Sequence, residues 1–145
     1  MTRINASISP RKLTDEHLLA EHREIKRMAY YAKETIKSGG IKNAPSSFTL
    51  GNGHILFLVD KQEYIYNRCH ELFQECRRRG FNVTNYWENW IGIDDVRYWK
   101  RYEPTEEDNR IIRERIKDRI VNSKKKFWHY EGKQITKDKA YHLLD

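Results

Sequence analysis

Two short clusters near the front of the chain carry residue types able to do chemistry: Met1-Thr2-Arg3-Ile4-Asn5, and Arg23-Glu24-Ile25-Lys26-Arg27. Thr2 is small enough for the initiator methionine to be trimmed, which leaves an α-amine on threonine. A model α-amine titrates at roughly 7.7–8.0, against roughly 10.4 for lysine, so about a tenth of it is an unprotonated nucleophile at neutral pH. Guanidinium groups nearby, such as those of Arg3, Arg23 or Arg27, would raise that fraction. Such an amine can attack C1′ of a deoxyribose, displace the base and form an imine. Glu24 is the carboxylate placed to move the protons. A plainer reading fits the same residues: a loose terminus followed by the charged face of a solvated helix.

The helix carrying Glu24 decides what that side chain can reach. Thr14 reads as its cap, and Asp15 and Glu16 then face the positive end of the helix dipole. Leu18, Ile25, Ala29, Ala32 and Ile36 recur as one buried stripe that ends at Gly39-Gly40. Turning about 100° per residue, Arg27 points about 180° away from Leu18, with Arg23 roughly 40° to one side and Glu24 roughly 60° to the other. His17, Ala20, Glu24, Arg27 and Tyr31 form a strip along one flank. Arg23 and Arg27 lie one turn apart and repel by a few tenths of a kcal/mol. Two arginines beside a single carboxylate suit an anionic ligand such as a phosphate backbone.

Two further helices follow from the pattern. One begins at Asp60 with Glu63 as a capping-box partner, buries Ile65, Cys69, Leu72 and Cys76, and ends in Arg77-Arg78-Arg79-Gly80. The other begins after Pro104, capped by Thr105, and carries Ile112, Ile116 and Ile120. Ile55–Val59 reads as a buried strand or an extended core segment. Residues 84–103 form a long irregular connection holding three of the four tryptophans, for which packing is the expected role. His54 reads as a structural loop histidine. Trp128 and Tyr130 follow Lys124-Lys125-Lys126 and suit either stacking on unpaired bases or packing of the tail onto the helices. The expected fold is all-α (mainly α): a single compact domain over 1–145 with about three main helices and long irregular connections.

Lys and Arg total 28 against 21 Asp and Glu, a net charge of +7, which favours a polyanionic partner, nucleic acid or an anionic membrane. No apolar run approaches the roughly 18 residues a membrane span needs, and no signal-peptide core opens the chain. No membrane partner is therefore expected, and the expected location is cytoplasmic. The six histidines and two cysteines show no metal-ligand spacing, so no metal is expected. Cys69 and Cys76 on one helix would stand about 10 Å apart along its axis, too far to pair.

Several stretches together carry a resemblance: MTRIN at 1–5, LTDEHLLAEHRE at 13–24, Arg27, FTLGNGH at 48–54, DK at 60–61, ECRRRGFN at 75–82, and more thinly RIKDRI at 115–120 and FWHYEGK at 127–133. In order and spacing they resemble the pyrimidine-dimer DNA glycosylase/AP lyase family, which includes ultraviolet-damage repair enzymes of T-even bacteriophages. The resemblance implies a helical domain without metal or organic cofactor, acting on double-stranded DNA with damaged bases or abasic sites, expected as a monomer inside the cell. Carried over by position, Thr2 supplies the nucleophilic amine and Glu24 the acid/base. Arg3, Arg23 and Arg27 would hold phosphates around the lesion with His17 nearby, and Arg115 and Arg119 match basic phosphate-contacting positions. Where the family commonly has proline this chain has Lys26, which should straighten the helix. Two alternatives remain: the same fold and chemistry on another damaged base, and a basic DNA-binding module without catalysis.

Overall fold

The computed structural model describes residues 2–145, so the expected removal of Met1 falls outside the described residues. Six α-helices and one two-stranded sheet follow in the order α1 (Asp15–Ile25), α2 (Arg27–Lys37), α3 (Asn52–Leu58), α4 (Gln62–Arg78), α5 (Glu106–Asn122), β1 (Phe127–Tyr130), β2 (Lys133–Thr136) and α6 (Lys137–His142). Short 3-10 turns lie at Pro10–Lys12, Trp87–Trp90 and Val96–Tyr98. The mainly helical expectation holds, but a count of about three helices is too low.

Thr14 caps α1 by accepting from the His17 N–H at 3.2 Å. The helix does not run on to Gly39. It tightens at Lys26 (φ −59°, ψ −24°), where the Ala29 N–H bonds the Lys26 carbonyl in an i→i−3 step. Lysine in place of proline therefore does not straighten this helix. Tertiary contacts sit at the break: Lys26 Nζ lies 4.4 Å from the centre of the Tyr86 ring, and the Met28 carbonyl accepts from Gln62 Nε2. Ile55–Val59 is neither strand nor extended segment, because α3 takes up most of it as a two-turn helix.

The α4 helix buries Ile65, Cys69, Leu72 and Cys76 as their spacing predicts. It starts at Gln62, without a capping box, because the Asp60 carboxylate is engaged by Lys61 and Lys100 at 3.1 and 2.7 Å. At its far end the three arginines have different fates. The Arg79 side chain is fully buried between Asp15 and Glu75, each 2.8 Å away, and Gly80 (φ +85°) ends the helix. The α5 helix opens with the Thr105/Asp108 capping box and buries Ile112, Ile116 and Ile120.

The C-terminal hairpin is the element the sequence did not reveal. Its turn, Glu131-Gly132, places both residues at positive φ (52° and 79°), as a two-residue hairpin connection requires. Asp15 holds that turn by accepting from the N–H groups of Glu131 and Gly132 at 3.0 and 2.8 Å. Trp128 and Ile135 face each other across the strands and are buried on the common core. In the 84–103 connection Trp90 is buried and Trp99 partly so, whereas Trp87 stays 48% exposed, contrary to its expected packing role. Among the described residues no helix is long and apolar enough to cross a membrane.

Candidate active site

The segment from Asn5 to Ile8 is pinned against α1 and α4 by a buried ionic network. Glu21 lies three residues beyond Leu18 and four before Ile25, on the apolar stripe of α1. Arg68 holds the equivalent place between Ile65 and Leu72 on α4. Their side chains are 1% and 2% exposed and meet in two parallel bonds of 2.9 Å. The remaining lone pairs of Glu21 accept from the Asn5 N–H (3.1 Å) and Asn5 Nδ2 (2.8 Å), while Arg68 Nη1 reaches the Ile8 carbonyl at 2.6 Å. Burial opposes the charge on Arg68, and the Glu21 carboxylate more than offsets it, so the guanidinium titrates above its ordinary range.

With Asn5 fixed, residues 3–5 form one wall of a narrow cleft of about 50 Å³, whose other walls are α1 and α5. Arg3, His17, Glu24, Arg115 and Arg119 all line it. Arg115 Nη2 donates to Asn5 Oδ1 at 2.6 Å, while Arg115 Nε is buried and has no hydrogen-bond partner among the described residues. Burial, with repulsion from Arg3 and Arg119, pushes the Arg115 guanidinium down to about 10 against the pull of Glu21 and Glu24. Burial and Arg3 also lower Arg119, and Glu24 opposes them. Three guanidinium groups are therefore held together under mutual repulsion, an arrangement that an anion would relieve.

His17 closes the cleft beside Glu24. Its Nδ1 lies 2.9 Å from Thr14 Oγ1, and its ring stacks on Trp128 at 5.0 Å with the planes 15° apart. Burial pushes this imidazole down to about 4; Glu16 resists, and Arg119, Arg115 and Lys125 add to the fall. It is neutral at neutral pH and can donate or accept a hydrogen bond without adding charge.

The other sequence-selected residues lie around this cleft rather than in it. Thr2 is buried (1% exposed) next to Arg3 in the chain but is not part of the lining, and its Oγ1 is without a partner among the described residues. Arg23 and Arg27 are exposed on the outer face of α1 and the start of α2, in no ion pair among the described residues. Trp128 is 6% exposed, packed on His17 beneath the Lys125 ammonium. Tyr130 is half-buried under the Arg79 guanidinium, its hydroxyl donating to the Arg11 carbonyl. In this structure both rings serve packing. Among the described residues no group of three or more His, Cys, Asp or Glu is gathered to hold a metal ion.

Glu21, Arg68 and Asn5 were not among the expected site residues, yet the sequence held the signal: an acid on one apolar stripe and a base on another. Each would be intolerably placed unless it met the other. A family model described as pyrimidine dimer DNA glycosylase matches residues 1–89. That stretch contains the whole N-terminal wall and the α1 wall of the cleft, and stops short of Arg115 and Arg119.

Proposed function

Because this chain belongs to the pyrimidine dimer DNA glycosylase family, we propose that it cuts the glycosidic bond at a pyrimidine dimer and then breaks the strand at the abasic sugar, using the α-amine of Thr2 and the carboxylate of Glu24. The observation that carries this reading is the cleft itself: a half-buried carboxylate on α1 shares it with three guanidinium groups, one of them on residue 3 of the chain. A carboxylate with that much positive charge near it suits a substrate that brings its own phosphates.

In this scheme Met1 is removed, and the lone pair of the Thr2 nitrogen attacks C1′ of the damaged nucleotide. The C1′–N bond breaks with its electron pair leaving on the base. Glu24 takes the proton that the attacking amine sheds and delivers it to O4′ as the sugar ring opens at the C1′–O4′ bond, leaving C1′ as an iminium carbon bonded to the Thr2 nitrogen. Glu24, now a carboxylate, removes a C2′ proton. The freed pair forms C2′=C3′, and the C3′–O bond breaks with the 3′-phosphate as leaving group. Water then hydrolyses the imine and returns the amine. Arg3, Arg115 and Arg119 hold the phosphates, Arg23 and Arg27 extend that contact along the duplex, and His17 borders the sugar. Pre-formed abasic sites enter at the imine step, where C1′ loses its oxygen as water. Displacing the damaged nucleotide from the stack costs a few kcal/mol, which the cationic surface helps to offset.

Borohydride trapping tests the scheme. Protein whose intact mass lacks Met1 should form a reduced covalent complex with dimer-containing or abasic duplex. Prior methylation of the α-amine should abolish that complex. A complex that survives blocking of the amine, or strand cleavage with no trappable complex, refutes the proposal.

A further inference from the structure

Counted from the start of the described chain, the first main-chain N–H groups in hydrogen bonds are those of Ile4 and Asn5. Asn5 is held by Glu21, as above. The Ile4 N–H donates to Nε2 of His54 at 3.0 Å, and His54 Nδ1 lies 2.9 Å from the Thr49 carbonyl oxygen. A carbonyl can only accept, so Nδ1 carries the proton and Nε2 offers its lone pair to Ile4. Both bonds together demand the neutral imidazole. Its surroundings supply that condition: burial pushes His54 down to about 4, the Thr49 carbonyl opposing, Arg115 adding to the fall, Glu21 opposing and Arg3 adding.

The FTLGNGH stretch is built to present this ring. Gly51 takes φ +73°, open to glycine and strained for most other residues. A Cβ on Gly53 would stand 2.7 Å from both Pro45 Cγ and Thr49 Cγ2, so only glycine lets the loop fold back far enough to bring the Thr49 carbonyl over Nδ1. Phe48 packs edge-on against the imidazole at 5.3 Å and fixes its plane. The result is one acceptor aimed at an amide two residues from Thr2.

Resting on the amine chemistry proposed above, we infer that His54 is a positioning residue. By holding the Ile4 amide it sets where the Thr2 nitrogen stands relative to Glu24 and the sugar. Thr2 cannot do this for itself, since its buried hydroxyl has no partner among the described residues. Its nitrogen is carried by the main chain that His54 and Glu21 anchor. A displacement of about 1 Å at a reacting atom can cost about 100-fold in rate.

The test compares His54→Gln, whose Oε1 can replace the Nε2 acceptor, with His54→Met, of similar length and without a comparable acceptor. Two quantities are read: the single-turnover rate of borohydride trapping on an abasic duplex, and affinity for a duplex carrying a tetrahydrofuran abasic analogue, which cannot form an imine. The Gln variant should trap within about threefold of wild type. The Met variant should trap about 10- to 100-fold more slowly, bind the analogue within about threefold of wild type and still melt cooperatively. Equal trapping by the two variants, or a Met rate that falls only in step with analogue binding, overturns the positioning role. Wild-type protein that never traps overturns the amine scheme and the role of His54 with it, a result the variants alone could not mimic.

Discussion

Replacing Glu21 by glutamine should destabilise the protein far more than an average buried polar substitution, and the network gives the size. Glu21 accepts four hydrogen bonds, two from Arg68 and two from Asn5, at 2.8–3.1 Å with almost no exposure to water. Glutamine fits the space, but it leaves the Arg68 charge buried without a counter-charge and turns two amide hydrogens toward groups that are themselves donors. Removing one member of a buried ion pair costs about 3–5 kcal/mol. At roughly 2–4 °C per kcal/mol, expected near this chain length, the melting temperature should fall by about 6–20 °C. Arg68→Met should cost a similar amount. The double variant Glu21→Gln/Arg68→Met buries no charge at that place, so it should be no worse than the weaker single, giving a coupling energy of at least about 2 kcal/mol in a urea-unfolding cycle. Single costs below about 1 kcal/mol, or costs that simply add, would show that the N-terminal wall of the cleft does not depend on this pair.

Glu24→Gln should abolish strand cleavage while leaving affinity for a tetrahydrofuran-containing duplex within about threefold, as read by gel assay and fluorescence anisotropy. Arg115→Met should change folding stability by no more than about 1 kcal/mol, because it removes a partly desolvated charge with an orphan Nε; it should also reduce the slope of log K against log salt by about 0.9, one phosphate contact. An unchanged slope would remove Arg115 from the phosphate-binding set. Stability should be level above about pH 7 and fall as pH drops from 6.5 to about 4. In that window the unfolded chain protonates His17 and His54 whereas the folded chain, with both pushed down to about 4, does not. The drop amounts to about 3 kcal/mol per histidine. His54→Gln should flatten part of that fall, and an unchanged profile in that variant would refute its share.

The elements legible in the sequence were those whose stability is local. The α5 helix announced itself through Thr105, a first turn of acids and isoleucines every four residues, and α4 through its apolar period and Gly80. Elements that depend on distant partners were not legible. The α3 helix is seven residues long with four successive apolar ones, too short for a period to separate helix from strand. The break at Lys26 is made where Tyr86 and Gln62 meet the helix, and nothing within residues 14–37 announces it. The hairpin turn has neither Asn-Gly nor Asp-Gly, and owes its geometry to Asp15, 116 residues away from Glu131. Arg3, Glu24 and the α5 arginines were picked out by residue type and by family resemblance. His54 was read as structural, and its hydrogen bond to Ile4 depends on the folded-back loop that Gly51 and Gly53 permit.

Two carboxylates one turn apart on α1 show how the fold separates support from chemistry. Glu21 and Glu24 both border the cleft. Every lone pair of Glu21 is already directed at Asn5 or Arg68, so it could take up a proton only by releasing an N–H or the guanidinium. Glu24 is half-buried, its carboxylate accepts no hydrogen bond among the described residues, and it stands within the field of Arg115 and Arg119. It can gain and lose a proton without dismantling its surroundings. The proposed proton transfers therefore fall to Glu24. The two substitutions should separate cleanly: glutamine at 21 lowers the melting temperature, with any loss of cleavage following from a loosened wall, whereas glutamine at 24 stops cleavage in a protein that melts like wild type. Finding both effects at both positions would show that support and proton transfer are shared between the two side chains.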